Sequence, residues 1–483
     1  MLEEQSNLGV FRTAKNTEKE ETYVFEDKAE PDNKRYKECS QLEQQARESA
    51  RGGKEERIGM LKTVLDIKNI TRALQQVCGN RGASGVDGMQ TDELRDFVST
   101  HWSTFRGDIE SGSYQPQKVR KVMIPKPQGG TRALGIPTVK DRLIQQALAQ
   151  WMTGLWDNNF HHHSYGFRPN KSAHQAVLAA QDYLNTGKKY VVELDLENFF
   201  DVVNHDKLMS LLSKKIADKP TLRLIGKFLR SEIMTDGVSS QRTEGTPQGS
   251  PLSPLLSNIL LNELDQELSK RGLSFVRYAD DCSIYVKSYK AAQRVMTNIT
   301  KFIEEKLHLR VSRTKSKIST PYKSTLLGFS FYQKKGEWRI RIAEKSIKRI
   351  KEKLRRQMPS KSSQQIERRV VELKPIVQGW TRYFQIGDIK STCKRLDELL
   401  RSRVRKLLWQ KWKKPKTRRR NLIKLGIPKS RAYQWSNTRK GACRTAHSPI
   451  LLRSLTNKVL SKMGLPSFYQ QYYALALHQL QLF

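Results

Sequence analysis

Cysteine is scarce in this sequence of 483 residues, and its five cysteines are scattered without a CxxC pair. That pattern argues against a disulfide framework and a zinc finger, and it fits a reducing cytoplasm. Long apolar runs are also missing, since none approaches the roughly 18 residues that cross a bilayer. The N-terminus has no basic region followed by an apolar core, so a secretory signal is not expected. The sequence therefore predicts an intracellular protein that does not span a membrane.

Acidic residues are the other scarce group, and their distribution is uneven. Lys and Arg number 88 against 48 Asp and Glu, which gives a formal net charge of +40. Glu398 is the last acidic residue, and 20 Lys or Arg follow it. Such an excess repels itself unless a polyanion is bound, and nucleic acid is the leading candidate. Because Trp409, Trp412 and Tyr433 are interleaved with the charge, we expect a folded nucleic-acid-binding region rather than a solvated tail.

Composition and hydrophobic periodicity divide the chain into four segments. Residues 1–56 are polar without a sustained period, and we expect a mobile extension there. Residues 57–338 mix helical and strand-like patterns, residues 339–412 are helical, and residues 413–483 are strongly basic. The predicted fold class is therefore α+β, followed by an all-α part and a small basic region.

Strand-like alternation and helical spacing are each clear in a few stretches. The alternation predicts a hairpin at 119–125 and 132–137, a single strand at 190–195, and two strands around a tight acidic turn at 274–287. Apolar residues at helical spacing predict one helix over 58–76 and another over 400–412. Pro415 is expected to end the second helix.

Three carboxylates offer the clearest chemistry. Asp280 and Asp281 are adjacent in the acidic turn, and burying them is costly unless a cation compensates. Mg²⁺ prefers such oxygen ligands, and Asp195, at the end of its own strand, could supply another from a neighbouring strand. Two Mg²⁺ ions about 3.5–4 Å apart would serve phosphoryl transfer. The plainer alternatives are an exposed hairpin turn for Asp280 and Asp281 and a helix N-cap for Asp195.

Further motifs flank these carboxylates in order along the chain. They are IPK at 124–126, RALGIP at 132–137, DRLIQ at 141–145, YGFRP at 165–169, DLENFFD at 195–201, GTPQGSPLSP at 245–254, YADD at 278–281, SRTKS at 312–316 and LLGF at 326–329. With these motifs in this order, the sequence resembles the reverse transcriptase family. GASGVDGM at 82–89 and GWTRYF at 379–384 resemble, more narrowly, the N-terminal element and the maturase motif of group II intron reverse transcriptases.

The resemblance implies both a fold and a function. The fold would be a right-hand polymerase, with fingers and palm in 57–338, a helical thumb or maturase (X) domain in 339–412 and a basic DNA-binding domain in 413–483. The function would be RNA-directed DNA synthesis, with assistance to splicing, reverse splicing and retrohoming of the parent intron. Because Cys443 and His447 stand without CxxC pairs, we expect a bacterial, class C-like member that lacks an HNH endonuclease domain.

Three alternatives stay open on the sequence alone. An RNA-dependent RNA polymerase would share the carboxylates, although a bulky residue at Phe200 argues against it. A host-domesticated reverse transcriptase in repair or defence would share the catalytic core. A splicing-only maturase would not use the carboxylates, and the intact set Asp195, Asp280 and Asp281 argues against it.

The resemblance also implies roles for single residues. Asp195, Asp280 and Asp281 would be catalytic and would bind two Mg²⁺ ions. The dNTP would be contacted at its triphosphate by Lys126, Arg132 and Lys315, and at its sugar by Gln248 and by Phe200, a steric gate against the 2′-OH. The plainer alternatives are exposed hairpin charge for Lys126 and Arg132, a core side chain for Phe200 and a duplex-lining basic run for Lys315.

Nine basic residues are predicted to contact nucleic acid. They are Arg401, Arg405, Lys411, Lys413, Lys414, Lys416, Arg418, Arg419 and Arg420. The expected partners are group II intron RNA, target DNA, an RNA template with its DNA primer, and dNTPs. The protein would be cytoplasmic, and associated with the nucleoid when on DNA. The sequence leaves open which intron and DNA site are bound, and whether the chain forms a homodimer.

Overall fold

The computed structural model describes residues 59–125, 130–235, 237–360 and 364–480. The N-terminal extension predicted for residues 1–56 lies outside the described residues. The chain divides into two compact units, the first ending at Thr320 and the second beginning at Pro321. Within the described ranges, no helix combines the length and the apolar character needed to cross a bilayer.

The first unit alternates helices with short strands, as the α+β prediction requires. Its described helices are α1 (Met60–Val64), α2 (Ile67–Asn80), α3 (Leu94–Ser111), α4 (Val139–Trp156), α5 (Ala173–Asn185), α6 (His205–Ser213), α7 (Lys219–Leu229), α8 (Ser253–Lys270) and α9 (Tyr289–Lys306). Its described strands are β1 (Val119–Pro125), β2 (Thr131–Ile136), β3 (Tyr190–Leu194), β4 (Ile233–Thr235), β5 (Val238–Ser240), β6 (Ser274–Tyr278), β7 (Asp281–Val286) and β8 (Lys317–Ser319).

Two four-stranded sheets organise this unit. One has the strand order β2-β1-β4-β5, in which β1 and β2 form the predicted antiparallel hairpin. The other has the order β6-β7-β3-β8 and is antiparallel throughout. Because β3 lies between β7 and β8, its C-terminal end lies beside the turn of the β6–β7 hairpin. This confirms the strands predicted at 190–195 and 274–287.

An apolar core supports the β6-β7-β3-β8 sheet. Leu143 and Ile144 of α4 and Leu260 and Leu261 of α8 have no exposed surface. Consecutive buried residues of this kind show that these helices are enclosed on more than one side, unlike a surface helix with a single apolar stripe. Helix α8 packs directly against β6, so the acidic hairpin rests on a rigid support.

The single helix predicted over 58–76 is wrong in one respect, because the structure divides it into α1 and α2. The break lies at Leu65 and Asp66, and the Asp66 carboxylate accepts a hydrogen bond of 2.9 Å from the backbone N–H of Lys68. An aspartate in this position satisfies an N–H group that would otherwise lack a partner at a helix start. The local cap therefore begins a new helix within a continuous apolar period.

The second unit begins with a small sheet and continues in helices. Its strands are β9 (Thr325–Leu326), β10 (Phe329–Lys334) and β11 (Glu337–Ile342), in the order β11-β10-β9. Its described helices are α10 (Glu344–Gln357), α11 (Ile366–Phe384), α12 (Lys390–Lys411), α13 (Pro415–Lys424), α14 (Lys429–Ser436), α15 (Ala442–Ala446), α16 (Pro449–Ser454), α17 (Asn457–Lys462) and α18 (Phe468–Leu480). The described residues after 343 are all-α, as predicted. The predicted start of the helical part at residue 339 is wrong, because residues 339–342 pair with β10 as the end of β11.

Helix α12 is the centre of the second unit, and the helix predicted over 400–412 is its second half. Its buried side chain Asp397 caps α18, because its carboxylate accepts hydrogen bonds from the backbone N–H groups of Phe468 (2.8 Å) and Tyr469 (3.2 Å) and from Ser467 Oγ (2.7 Å). Pro415 does not end α12, which stops at Lys411, but is the first residue of α13. Proline is well tolerated there because the first N–H of a helix has no intrahelical partner.

Candidate active site

The β-sheet register brings the carboxylates of Asp195, Asp280 and Asp281 to one end of the β6-β7-β3-β8 sheet. Tyr278 pairs with Asp281 across the β6–β7 hairpin, so Ala279 and Asp280 form a two-residue turn. Strand β3 pairs with β7 so that Leu194 lies opposite Cys282. One further step along this antiparallel register places Asp195 opposite Asp281. Carboxylates that are about 85 residues apart in sequence thus meet at the end of the sheet.

The backbone of Asp195 is held by the SRTKS motif. Ser312 N–H donates to Asp195 O over 2.9 Å, and Ser316 Oγ accepts from Asp195 N–H over 3.0 Å. Lys315 of the same motif forms an ion pair with the side chain, with 3.0 Å between Lys315 Nζ and Asp195 Oδ1. The structure thus places Lys315 beside the acidic turn, and its predicted contact with the triphosphate stays a prediction.

The pKa values of the acidic turn show how the carboxylates affect one another. Burial raises the pKa of the Asp280 carboxyl, the charge of Asp195 raises it further, and Arg132 and Lys315 lower it. The pKa of Asp281 is raised to about 7, first by loss of hydration among the surrounding protein atoms and then by Asp280 and Asp195. Asp281 is nevertheless exposed and Asp195 and Asp280 are half-buried, so the three carboxylates lie close together at a site open to solvent. Carboxylates placed close together in this way are stabilised by a bound cation.

The donor set fits a hard divalent cation, since carboxylate oxygens are the ligands that Mg²⁺ prefers. In the part of the chain that the structure describes, no group of three or more His, Cys, Asp or Glu side chains is drawn together tightly enough to hold a metal ion. Asp195 has the Lys315 ammonium as its cationic partner, and the Lys315 side chain is 66% exposed. Because this side chain is not packed, it is free to move aside from the carboxylate.

The turn that carries Phe200 is joined to the PQG loop of residues 247–249. Thr246 N–H donates to Phe200 O over 2.6 Å, just before this loop. Gly245 has a φ of +84°, and a Cβ atom there would lie 2.6 Å from Asp201 O. Phe199 is buried in the core, and Phe200 is half-buried against its ring. Glycine at position 245 therefore allows the loop to approach the aromatic turn.

Strand β2 is joined to the other side of the PQG loop. Gly135 N–H donates to Gln248 O over 2.8 Å, and a Cβ atom on Gly249 would lie 2.7 Å from Gly135 O. The exposed side chain of Arg132 lies on this strand, and its charge acts on Asp280. Backbone hydrogen bonds thus connect the segments that carry three predicted nucleotide contacts, Arg132, Gln248 and Phe200. Lys126 lies outside the described residues, so its predicted contact stays a prediction.

Two residues that hold the acidic turn, Arg277 and Gly166, have no role predicted from the sequence. Arg277 has no exposed surface and forms an ion pair of 2.6 Å with the equally buried Asp265. Gly166 packs so closely that a Cβ atom there would lie 2.3 Å from Ala279 N. The available signal was an arginine at an inward-facing position of an apolar strand, one residue before YADD.

The nine predicted nucleic-acid contacts differ in their exposure. Six are exposed, namely Lys411, Lys413, Lys414, Lys416, Arg419 and Arg420. Arg401 and Arg418 are half-buried, and Arg418 donates to Trp412 O over 2.9 Å. Arg405 is buried and donates to Leu455 O (2.9 Å) and Asn457 Oδ1 (3.3 Å), which corrects its expected place on the surface. Its guanidinium holds the segment between α16 and α17.

A basic pocket in the second unit was not anticipated from the sequence. It has a volume of about 830 Å³ and is lined by Lys406, Gln410 and residues 438–444, which include Arg439, Lys440 and Arg444. All of its lining residues follow Glu398, so no acidic residue contributes to it. The pocket contributes four cations in addition to the six exposed residues among the predicted contacts.

Comparison with known proteins identifies two family domains in the chain. Residues 124–331 match the model described as reverse transcriptase (RNA-dependent DNA polymerase). Residues 347–426 match the model described as the group II intron maturase-specific domain. The chain therefore carries a polymerase domain followed by a maturase domain.

Individual relatives agree with these domains. Protein YkfC of Escherichia coli is 33% identical over 54% of this chain and 78% of its own length. The group II intron-encoded protein LtrA of Lactococcus lactis is 35% identical over 42% of this chain and 34% of its own. The putative COX1/OXI3 intron 2 protein of Saccharomyces cerevisiae is 25% identical over 54% of this chain and 37% of its own length. The chain thus spans only about a third of the length of these two intron proteins. The reverse transcriptase domain precedes the maturase domain in the chain, and the three carboxylates meet at one end of the β6-β7-β3-β8 sheet. The chain therefore belongs to the group II intron reverse transcriptases and maturases.

Proposed function

We propose that this protein copies an RNA template into DNA by nucleotidyl transfer at Asp195, Asp280 and Asp281. The observation that carries the proposal is the meeting of Asp195 with the acidic turn at one end of the β6-β7-β3-β8 sheet. Two Mg²⁺ ions held there would activate the primer 3′-OH and stabilise the charge that develops on the α-phosphate. Asp195 and Asp280 would be the principal ligands, and Asp281 would complete or shape the site.

The residues around the carboxylates support distinct tasks. Arg132 would pair with the triphosphate, for which a planar guanidinium is well suited. Gln248 would contact the sugar, and Phe200 would exclude a 2′-OH. Lys315 would exchange its carboxylate partner for the triphosphate and donate a proton to the departing pyrophosphate. The joined backbones of β2, the PQG loop and the Phe200 turn would keep these groups in a fixed relation.

We assign the right-hand layout to the two units as follows. The β1–β2 hairpin would belong to the fingers, and the β6-β7-β3-β8 sheet would form the palm. The helices after residue 343 would supply the thumb and the maturase surface, and residues 413–483 would bind target DNA. Intron RNA would be bound mainly through shape and backbone contacts, for which the net charge of +31 after residue 330 is favourable. The place of action would be the bacterial cytoplasm and nucleoid.

Primer extension on an RNA template with Mg²⁺ tests the proposal, with dNTPs and rNTPs in parallel reactions. Wild-type protein should make DNA, and Asp280→Asn should lower the rate on the order of 10³-fold because several kcal/mol of charge stabilisation is lost. Asp96→Asn, which alters an exposed carboxylate on α3, is the matched control and should retain the wild-type rate.

Each other outcome has a definite meaning. RNA product from the wild-type protein would contradict the role of Phe200 and favour an RNA-dependent RNA polymerase. Absence of product with either substrate, from protein that binds intron RNA tightly, would leave a splicing-only maturase. DNA synthesis without binding to intron RNA would favour a domesticated reverse transcriptase.

A further inference from the structure

Arg277 is a buried cation whose hydrogen bonds are fully used. A guanidinium has five N–H donors, and in Arg277 each of them has an acceptor. Nε and Nη2 donate to the two oxygens of Asp265 over 2.7 and 2.6 Å, and Nη2 also donates to Ser164 Oγ over 2.7 Å. Nη1 donates to Asn258 Oδ1 over 3.0 Å and to Ala279 O over 2.9 Å. The bond to Ala279 O reaches the acidic turn itself.

The backbone of the acidic turn is strained at Ala279. Ala279 has a φ of +56°, in the left-handed region that residues with a Cβ atom rarely adopt. Its carbonyl accepts from Arg277, while its amide side faces Gly166, which has no Cβ atom to displace it. The strained residue is therefore held from both sides, and Asp280 follows it directly. A strained residue persists only when its surroundings impose the conformation.

The support itself is fixed from several elements. The Arg277 backbone N–H donates to His163 O over 3.0 Å, and its carbonyl accepts from Tyr165 N–H over 2.9 Å. Asn258 of α8 also donates from Nδ2 to Gly166 O over 2.9 Å. Arg277 thus lies where α8, the segment 163–166 and the acidic hairpin meet. A lysine could keep the charge opposite Asp265, but a single ammonium cannot reproduce the guanidinium fork.

We propose that Arg277 is a positioning residue for catalysis, which sets the conformation of the acidic turn through Ala279 O while Asp265 orients its guanidinium. This inference rests on the proposed function, because it assigns Asp280 to the metal site. It differs from a role in folding alone, since it predicts that loss of the fork changes metal binding at the turn more than it changes stability.

The test compares Arg277→Lys with Arg142→Lys. Arg142 is also buried in the first unit and donates to a loop carbonyl, Ala83 O, but it has no hydrogen bond to the acidic turn. Arg277→Lys should lower kcat of primer extension about 100-fold and raise the Mg²⁺ concentration for half-maximal rate about tenfold, with KM for dNTP changed less than about threefold. Arg142→Lys should leave the Mg²⁺ requirement unchanged, even where it lowers the melting temperature.

Two further measurements keep the inference open to refutation. Mn²⁺ binding followed by electron paramagnetic resonance should weaken about tenfold in Arg277→Lys, a readout that does not depend on polymerase activity. Adding Ala279→Gly to Arg277→Lys should restore at least about tenfold in kcat, because glycine adopts a positive φ without strain. If Arg277→Lys does not fold, Asp265→Asn, which removes the charge but keeps an acceptor, should show the same pattern to a smaller degree.

Three results together would overturn the role of Arg277 as a positioning residue. Wild-type Mn²⁺ binding in Arg277→Lys, a loss of activity no greater than its loss of folded protein, and no recovery with Ala279→Gly would overturn the inference. A wild-type protein that extends no primer would refute the proposed function instead. In that case the Mn²⁺ measurement still decides whether Arg277 positions the turn.

Discussion

The two units differ in how their positive charges are balanced. In the first unit, Arg277 lies inside the protein, and every N–H group of its guanidinium donates to a neighbouring side chain or carbonyl. In the second unit, 20 Lys and Arg follow Glu398 without one acidic residue among them. The charge of Arg277 is neutralised inside the protein by Asp265, whereas most cations after Glu398 have no acidic partner among the described residues and favour a ligand that supplies negative charge.

The largest expected effect tests whether the basic pocket serves such a partner. The triple change Arg439→Gln, Lys440→Gln and Arg444→Gln should weaken binding of duplex DNA on the order of 100-fold near 0.1 M salt. The slope of log affinity against log salt should become shallower by about 3, one for each lost phosphate contact. Filter binding over a salt series would measure both quantities.

A matched triple change in the first unit makes this result specific. Lys287→Gln, Lys290→Gln and Arg294→Gln remove the same charge from exposed positions before and on α9. An equal loss of affinity in both triple variants would show that only the net charge matters, and the pocket would have no special part in binding.

A smaller effect separates a buried, hydrogen-bonded arginine from an exposed one within the second unit. Arg405→Met leaves Leu455 O and Asn457 Oδ1 without their donor, so we expect a loss of about 1–3 kcal/mol in unfolding free energy. Arg419→Met should change stability by less than about 0.5 kcal/mol but reduce the salt slope by about 1. Urea unfolding and filter binding, applied to both variants, would check the contrast. A salt dependence that is shallower for Arg405→Met than for Arg419→Met would contradict it.

The smallest effect concerns a histidine near Arg277. His163 contacts Tyr183 and Tyr165 through its ring nitrogens. Burial, and then the neighbouring His162, lower its pKa to about 4. In the unfolded chain a histidine titrates near 6.5. Between about pH 6.5 and pH 4, this histidine binds a proton in the unfolded state but not in the folded state. The free energy of unfolding therefore decreases as the pH falls through this range.

His163→Gln should remove this loss. We expect the stability difference between wild type and variant to shrink by on the order of 1 kcal/mol from pH 7 to pH 5, a value reduced for the partial exposure of the ring. His101→Gln, at an exposed position on α3, is the control. Parallel pH profiles for wild type and His163→Gln would contradict the assignment.

Local patterns in the sequence predicted the parts of the fold that depend on local geometry. Period-two alternation marked β3 and the β6–β7 hairpin, because side chains of a strand alternate between its faces. The acidic turn followed from two carboxylates between two strands. The division into α1 and α2 was missed because one capping side chain, Asp66, outweighed a continuous apolar period.

Features that depend on distant contacts were not predictable in this way. Arg277 pairs with residues 12, 19 and 113 positions away, so its inward-facing position in β6 indicates burial but does not identify its partners. Arg405 occupies a helix position that looks exposed until the segment between α16 and α17 covers it. Burial of a charge is set by the whole fold, whereas the sequence displays only the charge.

The cap that Asp397 provides for α18 bears on the order in which the chain is completed. Its acceptor oxygens serve Ser467, Phe468 and Tyr469, which are 70 to 72 positions later in the sequence. At about 5–20 residues per second, a ribosome needs several seconds to synthesise that interval. During this time Asp397 depends on water for its hydrogen bonds, and the α12 surface that receives α18 stays uncovered. The second unit therefore reaches its final packing only after translation has passed residue 469.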